Sequence, residues 1–244
     1  MSLTYNDEVV CPCGEAFEVE LYESISVKEN PELKDAVLAG ELNVVRCPSC
    51  KHMIYAERFL LYHDKDQELL AFVYPKDTED QEQSLNLEMS KRFKTLQESL
   101  PAEDKFKYVP FLLFGLDALC DLIVAEESLR DESDVVFALA ENLDLTTKKI
   151  SIDLARRCKL PLVLPFGIKT LVARVQVTEL FENLFKNADS AGVAGVTGAA
   201  EAAGLTDLRV SLIKGLKAIL NVNDQLPNYQ KLLNRLEAGS SPEL

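Results

Sequence analysis

The sequence predicts an α+β fold: a small antiparallel β domain over residues 1–76, followed by an all-helical domain over residues 85–244. Three observations predict it. Apolar and polar side chains alternate along parts of the first region, as they do in half-buried strands. Four of the six cysteines form two close pairs within the first fifty residues. From Leu85 onward, apolar residues recur at helical spacing instead.

The first region is predicted to consist of strands around one short helix. Phe17, Val19 and Leu21 alternate with polar neighbours, so residues 8–26 are predicted to be extended. A helix is predicted over 31–39, because a proline opens it and a glycine follows it. Further strands are predicted over 42–46, 53–62 and 69–74, the last two forming a hairpin.

The charged, apolar-poor residues 76–84 are predicted to link the two domains. A turn is expected at 130–133, and residues 161–165 are predicted to be a loop or a short extended piece. The Ala/Gly-rich residues 188–206 are predicted to be a flexible linker, because they lack the spacing of a phosphate-binding loop. Helices are predicted near 85–96 and over 111–129, 135–143, 147–158, 167–187, 207–221 and 228–238.

Charge is distributed unevenly along the chain, whose net charge is −14. Residues 1–83 contain 18 acidic and 7 basic side chains, a net charge of −11. Residues 148–244 contain 13 basic and 9 acidic side chains, a net charge of +4. Because the first region would repel a phosphate backbone, we do not expect it to bind nucleic acid.

We expect neither a membrane-spanning segment nor a secretion signal in this sequence. Its first ten residues are polar and acidic, and its longest apolar run, Val109 to Leu116, is interrupted by Pro110 and Gly115. That run is much shorter than the ~20 residues that a membrane-spanning helix needs. We therefore expect a cytoplasmic protein, in which cysteines are metal ligands or buried thiols and not disulfides.

The paired cysteines predict a zinc site. Thirty-three residues separate Cys13 of the first pair, Cys11 and Cys13, from Cys47 of the second pair, Cys47 and Cys50, and each pair starts with Cys-Pro. Two close cysteines on a tight turn supply two thiolates, and a second pair completes a tetrahedral shell. A structural zinc would stabilise a domain this small, so the sequence predicts a zinc-ribbon-like fold.

Two alternatives to zinc remain open for these cysteines. They could be unrelated buried thiols, or the Cys47-Pro-Ser-Cys50 segment could be a redox pair with the spacing of thiol oxidoreductases. Those enzymes place the first cysteine at the start of a helix, whereas residues after Cys50 are predicted to form a strand. A redox role would also leave Cys11 and Cys13 without a function.

The paired motifs resemble the CpXC family, a group of bacterial and archaeal proteins without an established biochemical function. The resemblance covers roughly residues 8–76 and includes the strand at 17–21, the helix beginning at 31–33 and the segment 61–64. Residues 115–117 and 129–135 resemble the helical segment that often follows. The first motif, Cys11-Pro12-Cys13, is one residue shorter than the family's C-P-x-C, which predicts a tighter turn.

Other residues that could support chemistry have simpler interpretations. His52 is predicted to be a surface histidine near the zinc site, and His63 a turn histidine bonded to a neighbour. Cys120 and Cys158 are predicted to be buried or half-buried thiols, although cations beside Cys158 would favour its thiolate. The acidic residues of 126–134 are predicted to form a solvated helix–turn face rather than a divalent-cation site.

These observations predict a non-enzymatic module that binds or organises proteins and contains a structural zinc ion. The chain has two histidines, too few for a three-histidine catalytic zinc site. Its partner is expected to be a protein, with homo-oligomerisation also possible. The alternative function is that of a thiol-redox protein or an enzyme that uses Cys47 and Cys50.

Overall fold

The computed structural model describes residues 2–102, 105–167 and 199–238. The chain forms two compact units, residues 1–124 and 125–244. The predicted division into residues 1–76 and 85–244 stays a prediction. No helix within the described ranges is long and apolar enough to span a membrane.

The first unit is organised around a five-stranded sheet. Strands β1 (Leu3–Val10) and β2 (Ala16–Ser26) form an antiparallel hairpin. Strands β5 (Leu60–Asp64) and β6 (Leu69–Tyr74) form the predicted second hairpin, and β7 (Phe111–Phe114) completes the sheet in the order β1-β2-β5-β6-β7.

The sheet is mixed, so the prediction of an antiparallel sheet was incomplete. Strand β5 pairs with β2 in parallel, and β7 pairs with β6 in parallel. Parallel neighbours require crossover connections. Helix α1 (Glu32–Leu38) lies in the first crossover, and a 3-10 helix (Lys76–Gln81) followed by α2 (Glu82–Ser99) lies in the second.

Helices cover both faces of this sheet. On one face, residues of α1 and of the start of α3 (Leu116–Asn142) pack against Leu60, Tyr62 and Val73. On the other face, Leu85 and Met89 of α2 pack against Phe72 and Tyr74. Every residue of β6 is buried as a result. The predicted linker 76–84 and part of the predicted helical region therefore belong to the first unit.

A smaller layer lies beside the hairpin β1–β2. Strands β3 (Val44–Arg46) and β4 (Met53–Tyr55) form a two-stranded antiparallel sheet. Val9, Leu21 and Ala56 form a small core there, with Val45 and Ile54 packed against it. Only three residues of this core are fully buried, which is little apolar burial for two strand pairs.

Two predicted elements were wrong because short apolar runs have the same pattern in strands and helices. The strand predicted over 53–62 is two strands, β4 and β5, which belong to different sheets. The helix predicted over 111–129 begins instead as β7, and Gly115 turns the backbone at φ +80° before α3 starts.

The turn predicted at 130–133 was also wrong, because these residues lie inside α3. Glu132 and Ser133 form hydrogen bonds with residues distant in the sequence instead of capping a helix.

The second unit contains helices and one small sheet, so the prediction of an all-helical region was wrong. Strands β8 (Thr146–Lys149) and β9 (Val163–Phe166) are antiparallel, and α4 (Ile152–Cys158) lies between them. The core combines residues of these elements with residues of α5 (Ala199–Val222) and α6 (Pro227–Ala238). The extended piece predicted at 161–165 corresponds to β9.

Helix α5 approaches the end of β9 closely. Gly167 N donates a hydrogen bond to Ser211 O at 2.9 Å, and Gly215 faces the backbone of Pro165 and Phe166. The helix predicted over 207–221 is therefore present but longer. The prediction of a flexible linker over 188–206 was wrong from residue 199 onward, where α5 begins, and residues 188–198 lie outside the described residues. The helix predicted over 167–187 lies outside them from residue 168 onward.

Candidate metal centre

The first cysteine pair occupies the turn that joins β1 to β2. Cys11 N donates a hydrogen bond to Glu15 O at 2.8 Å, which closes the hairpin, and Gly14 N donates to Cys11 O at 2.8 Å. Gly14 has φ +94°, a conformation that glycine adopts without a steric penalty. The shortened motif thus forms a tight turn, as its spacing predicts.

The second cysteine pair occupies the turn that joins β3 to β4. Cys47 N donates to His52 O at 2.9 Å, and Lys51 N donates to Cys47 O at 3.1 Å. Lys51 has φ +65°, so a lysine occupies the position that corresponds to Gly14 in the first turn. Its Nζ donates to Pro48 O at 2.6 Å, which ties the side chain back to the turn.

The two turns bring the four sulfur atoms together. The Sγ atoms of Cys11 and Cys50 are 3.5 Å apart, those of Cys13 and Cys47 are 3.8 Å apart, and all four lie within 4.8 Å of one another. Four sulfurs placed about 2.3 Å from a central ion form a tetrahedron with edges of about 3.8 Å. The spacing therefore fits one tetrahedral metal ion, and the four thiols could hold it.

The electrostatics of the cluster also favour a cation. Burial disfavours the thiolate of Cys47, but the backbone N–H groups of Cys50 and Ser49, together with hydrogen bonds from the thiols of Cys11 and Cys50, outweigh this and lower its pKa to about 7. The backbone N–H of Cys13 favours the thiolate of Cys11, but burial and the neighbouring sulfurs raise its pKa to about 12. Several thiolates at this distance repel one another, so the cluster can ionise fully only around a positive ion.

The cluster lies at the surface of the first unit. Cys11 and Cys47 are buried, whereas Cys13 and Cys50 are exposed. One side of the cluster is therefore packed against protein and the other faces solvent. The sulfur atoms belong to the ends of two strand pairs, so a shared ion would join β1–β2 to β3–β4.

Asn43 positions the second turn, and the sequence analysis missed it. Its Oδ1 accepts a hydrogen bond from Tyr22 N at 2.8 Å, and its Nδ2 donates to Tyr22 O at 3.1 Å. It adopts φ +56°, and its own carbonyl accepts from Ala56 N. An asparagine directly before a strand is a recognised signal for this conformation, but its partner on β2 is not visible in the sequence.

The two histidines have different surroundings. His52 is exposed, and the cluster of possible ligand atoms in the described part of the chain does not include it. His63 lies in β5, where its Nε2 is hydrogen-bonded to Tyr108 Oη at 2.8 Å and its ring contacts Phe106 edge-on. The prediction of a turn histidine bonded to a neighbour was wrong, because His63 lies in a strand and its partner is Tyr108, 45 residues along the chain.

The remaining cysteines and acidic residues are parts of separate structural contacts. Cys120 is half-buried and donates to Val37 O at 3.2 Å, and Cys158 is buried, as predicted.

The acidic residues of 126–134 include two carboxylates with specific partners. Glu126 forms a bidentate ion pair with Arg156. Glu132 is buried and accepts hydrogen bonds from the backbone and side chain of Asn228. The predicted solvated face is therefore partly wrong, since two of its carboxylates are engaged in the second unit.

Comparisons with known proteins identify one family. No curated protein and no solved structure matches the chain. The pattern of the family described as CpXC protein matches residues 9–135, more than half of the chain. This match confirms the resemblance and extends it through β7 into α3. The chain belongs to the CpXC family.

Proposed function

We propose that this protein is a non-enzymatic protein-interaction or scaffold module, in which Cys11, Cys13, Cys47 and Cys50 hold a structural zinc ion. The observation that carries the proposal is the convergence of four thiols from two turns, at distances that match the edge of a zinc–thiolate tetrahedron. An ion held by four thiolates has no open coordination position for substrate, which favours a structural role over a catalytic one.

The small core between the two strand pairs supports a stabilising role for the ion. Three fully buried residues provide little hydrophobic stabilisation for β1–β2 and β3–β4. Structural zinc is worth on the order of 10 kcal/mol in small domains. In this proposal the ion gives these four strands a zinc-ribbon-like arrangement and fixes the surface that they present to a partner.

The charge of residues 1–83 narrows the class of partner. Residues 1–83 have a net charge of −11, which opposes contact with nucleic acid. We propose a protein partner in the cytoplasm, with a second copy of the chain as one possible partner.

The thiol-redox alternative has one observation in its favour and one against it. The pKa of Cys47 is lowered to about 7, which makes its thiolate accessible at neutral pH. However, Cys50 is followed by strand β4, so Cys47 does not have the helix start that thiol oxidoreductases use. The structural zinc site also accounts for Cys11 and Cys13, which a Cys47–Cys50 redox pair does not.

Metal analysis of the purified protein tests the proposal. We expect one zinc ion per chain by elemental mass spectrometry, and four additional thiols that react with a thiol reagent only after chelation. Cys47→Ser is expected to abolish stoichiometric zinc, because it removes the most buried ligand. Cys120→Ser is the matched control, since a serine can still donate to Val37 O and zinc should be retained.

Two results would contradict the structural-zinc proposal. A metal-free protein in which Cys47 reacts rapidly and forms a reversible disulfide with Cys50 would replace the structural proposal by the redox alternative. Zinc retention in Cys47→Ser would show that the ion binds elsewhere.

A further inference from the structure

The outer edge of β1 is the longer of the two terminal edges of the five-stranded sheet. Strand β1 has eight residues and is the first strand in the sheet order. Among the described residues, no strand pairs with its outer side. Edge strands of natural proteins are commonly blocked by lysine, proline or bulges. Strand β1 contains neither lysine nor proline, and its one irregularity lies between Leu3 and Thr4.

The hydrogen-bond pattern of the hairpin identifies the groups that face outward. Cys11 N bonds Glu15 O, so alternation along an antiparallel pair directs the backbone groups of Thr4, Asn6, Glu8 and Val10 away from β2. Two contacts agree with this assignment. Glu8 N donates to the carboxylate of Asp7 at 2.9 Å, and the backbone of Tyr22, opposite Thr4, bonds Asn43 on the far side of β2.

The side chains beside this edge are acidic. Glu8 and Glu18 face each other directly across β1 and β2, and both are exposed. Like charges in this arrangement destabilise a hairpin, and neither carboxylate has a cationic partner in the described parts of the chain. Glu20 lies on the same face, where it accepts a hydrogen bond from Thr4. The edge therefore combines unpaired backbone groups with uncompensated negative charge.

The alternation of side chains defines the chemistry of a matching strand. Residues placed opposite Asn6 and Glu8 would lie on the acidic face, where lysine or arginine would be neutralised. The residue between them would lie opposite half-buried Asp7, which is paired with Arg58. The next residues on that face would lie beside half-buried Tyr5 and buried Val9. A second copy of β1 is a poor match, because it would bring Asp7 and Glu8 beside the same carboxylates.

We propose that β1 is a docking edge for an extended peptide segment in which basic and apolar residues alternate, and that this segment pairs as a sixth strand. The proposal rests on the protein-binding role above and names the chemistry of the partner. The docked strand forms main-chain hydrogen bonds with Thr4, Asn6 and Val10. It also displaces the Asp7 carboxylate from Glu8 N, while Asp7 keeps its ion pair with Arg58 at 2.6 Å.

A peptide titration tests the proposal on the full-length protein with its metal content measured. The probe is a fluorescent seven-residue peptide that alternates lysine and valine, and an alternating glutamate–valine peptide is its control. We expect saturable binding of the basic peptide only, weakened by added salt. In NMR spectra, the amide signals of Thr4, Asn6, Glu8 and Val10 should shift most.

Two variants separate edge pairing from simple charge attraction. Asn6→Pro removes an outward N–H that the β1–β2 ladder does not use, so the hairpin should remain intact. It should weaken binding roughly fivefold or more, the effect of losing about one hydrogen bond. Glu8→Lys should weaken binding by a similar factor and should do so less at high salt.

Several results would overturn the proposal. One is failure of the basic peptide to bind the metal-loaded protein. Another is unchanged affinity of Asn6→Pro for the peptide, with the NMR shifts confined to other residues. A third is self-association of the protein through β1. Slow exchange of the outward amides in the free protein would also overturn it, because the edge would then already be paired. Each of these results leaves the structural zinc proposal intact, whereas absence of the metal would refute that proposal independently.

Discussion

Asn43 illustrates how one side chain can set the position of the turn that carries Cys47 and Cys50. Strand β5 pairs with β2 only at Ser24–Ser26, so the backbone of Tyr22 has no strand partner on that side. The Asn43 amide fills this position with two hydrogen bonds and thereby attaches β3 to the main sheet. The second cysteine turn begins four residues later.

Substitution of Asn43 should weaken both stability and metal retention. Asn43→Ala removes two hydrogen bonds and leaves a non-glycine residue at φ +56°, so we expect a loss of about 2–3 kcal/mol. Asn43→Gly relieves the backbone conformation and should lose about 1 kcal/mol less. Chemical denaturation and zinc competition with a chelator measure the two effects. Equal stability of Asn43→Ala and the parent protein would contradict this role.

His63 should make the first unit less stable in acid. Burial lowers the pKa of His63, and the opposing effect of Asp64 is smaller. The folded protein therefore binds fewer protons at this site than the unfolded chain, whose histidine pKa is about 6.5. Its contribution to stability is present above that pH and is lost as the pH falls below about 6.5 towards the lower pKa of the folded protein.

Unfolding free energies measured across this pH range test the assignment. His63→Phe keeps an aromatic ring but cannot be protonated, so the dependence of stability on pH should become shallower. His52→Asn is the control, because the side chain of His52 is exposed and its loss should leave the slope unchanged. An identical slope in His63→Phe would exclude this source of acid sensitivity.

At the scale of elements, Gly215 determines how closely α5 approaches β9. A Cβ atom at Gly215 would overlap the backbone carbonyl of Pro165 and lie 2.9 Å from Phe166 N. Helix propensity alone favours alanine over glycine by about 1 kcal/mol. The close contact should reverse this preference, so Gly215→Ala is expected to destabilise the second unit by about 1–3 kcal/mol.

Thermal or denaturant unfolding gives the sign of this effect directly. Asn221→Ala, at an exposed site in the same helix, should change stability by no more than about 0.5 kcal/mol. A stabilised Gly215→Ala variant would mean that the helix can move away from β9 without cost.

Local patterns were sufficient to predict some elements and not others. A proline at its start predicts helix α1, and two apolar runs around a polar turn predict the β5–β6 hairpin. The paired spacing of the cysteines predicts that they converge. Each of these signals acts over a few residues. Strand β7 has the apolar pattern of a helix start, and only its pairing with β6 distinguishes it. Ser133 is a residue type that often caps a helix, but it lies inside the continuous helix α3, where its hydroxyl accepts a hydrogen bond from Leu162 N. These outcomes depend on contacts between distant residues, which periodicity does not contain.

At the scale of the molecule, the position of the first domain boundary has a measurable consequence. A fragment of residues 1–76 contains the cysteines but lacks α2, β7 and the start of α3, whose residues cover both faces of β6. A fragment of residues 1–124 contains them all. We expect the longer fragment to unfold cooperatively at higher denaturant, and the shorter one to expose Phe72 and Tyr74 and to aggregate.

Both fragments should be compared with zinc bound, so that the metal does not account for the difference. Sedimentation and denaturant titration measure the outcome. Equal cooperativity and solubility of the two fragments would support the boundary predicted at residues 76–84.

The parallel pairing of β7 with β6 also has a consequence for the order of synthesis. The four clustered cysteines have all left the ribosome once residue 50 has emerged, but β6 gains its second neighbour only when residues 111–114 follow. During that interval the nascent chain already contains all four cysteines, while the edge of β6 that β7 later occupies has no neighbour. Chaperone contact with this unfinished edge is therefore expected to end after β7 emerges, long after the cysteines become available.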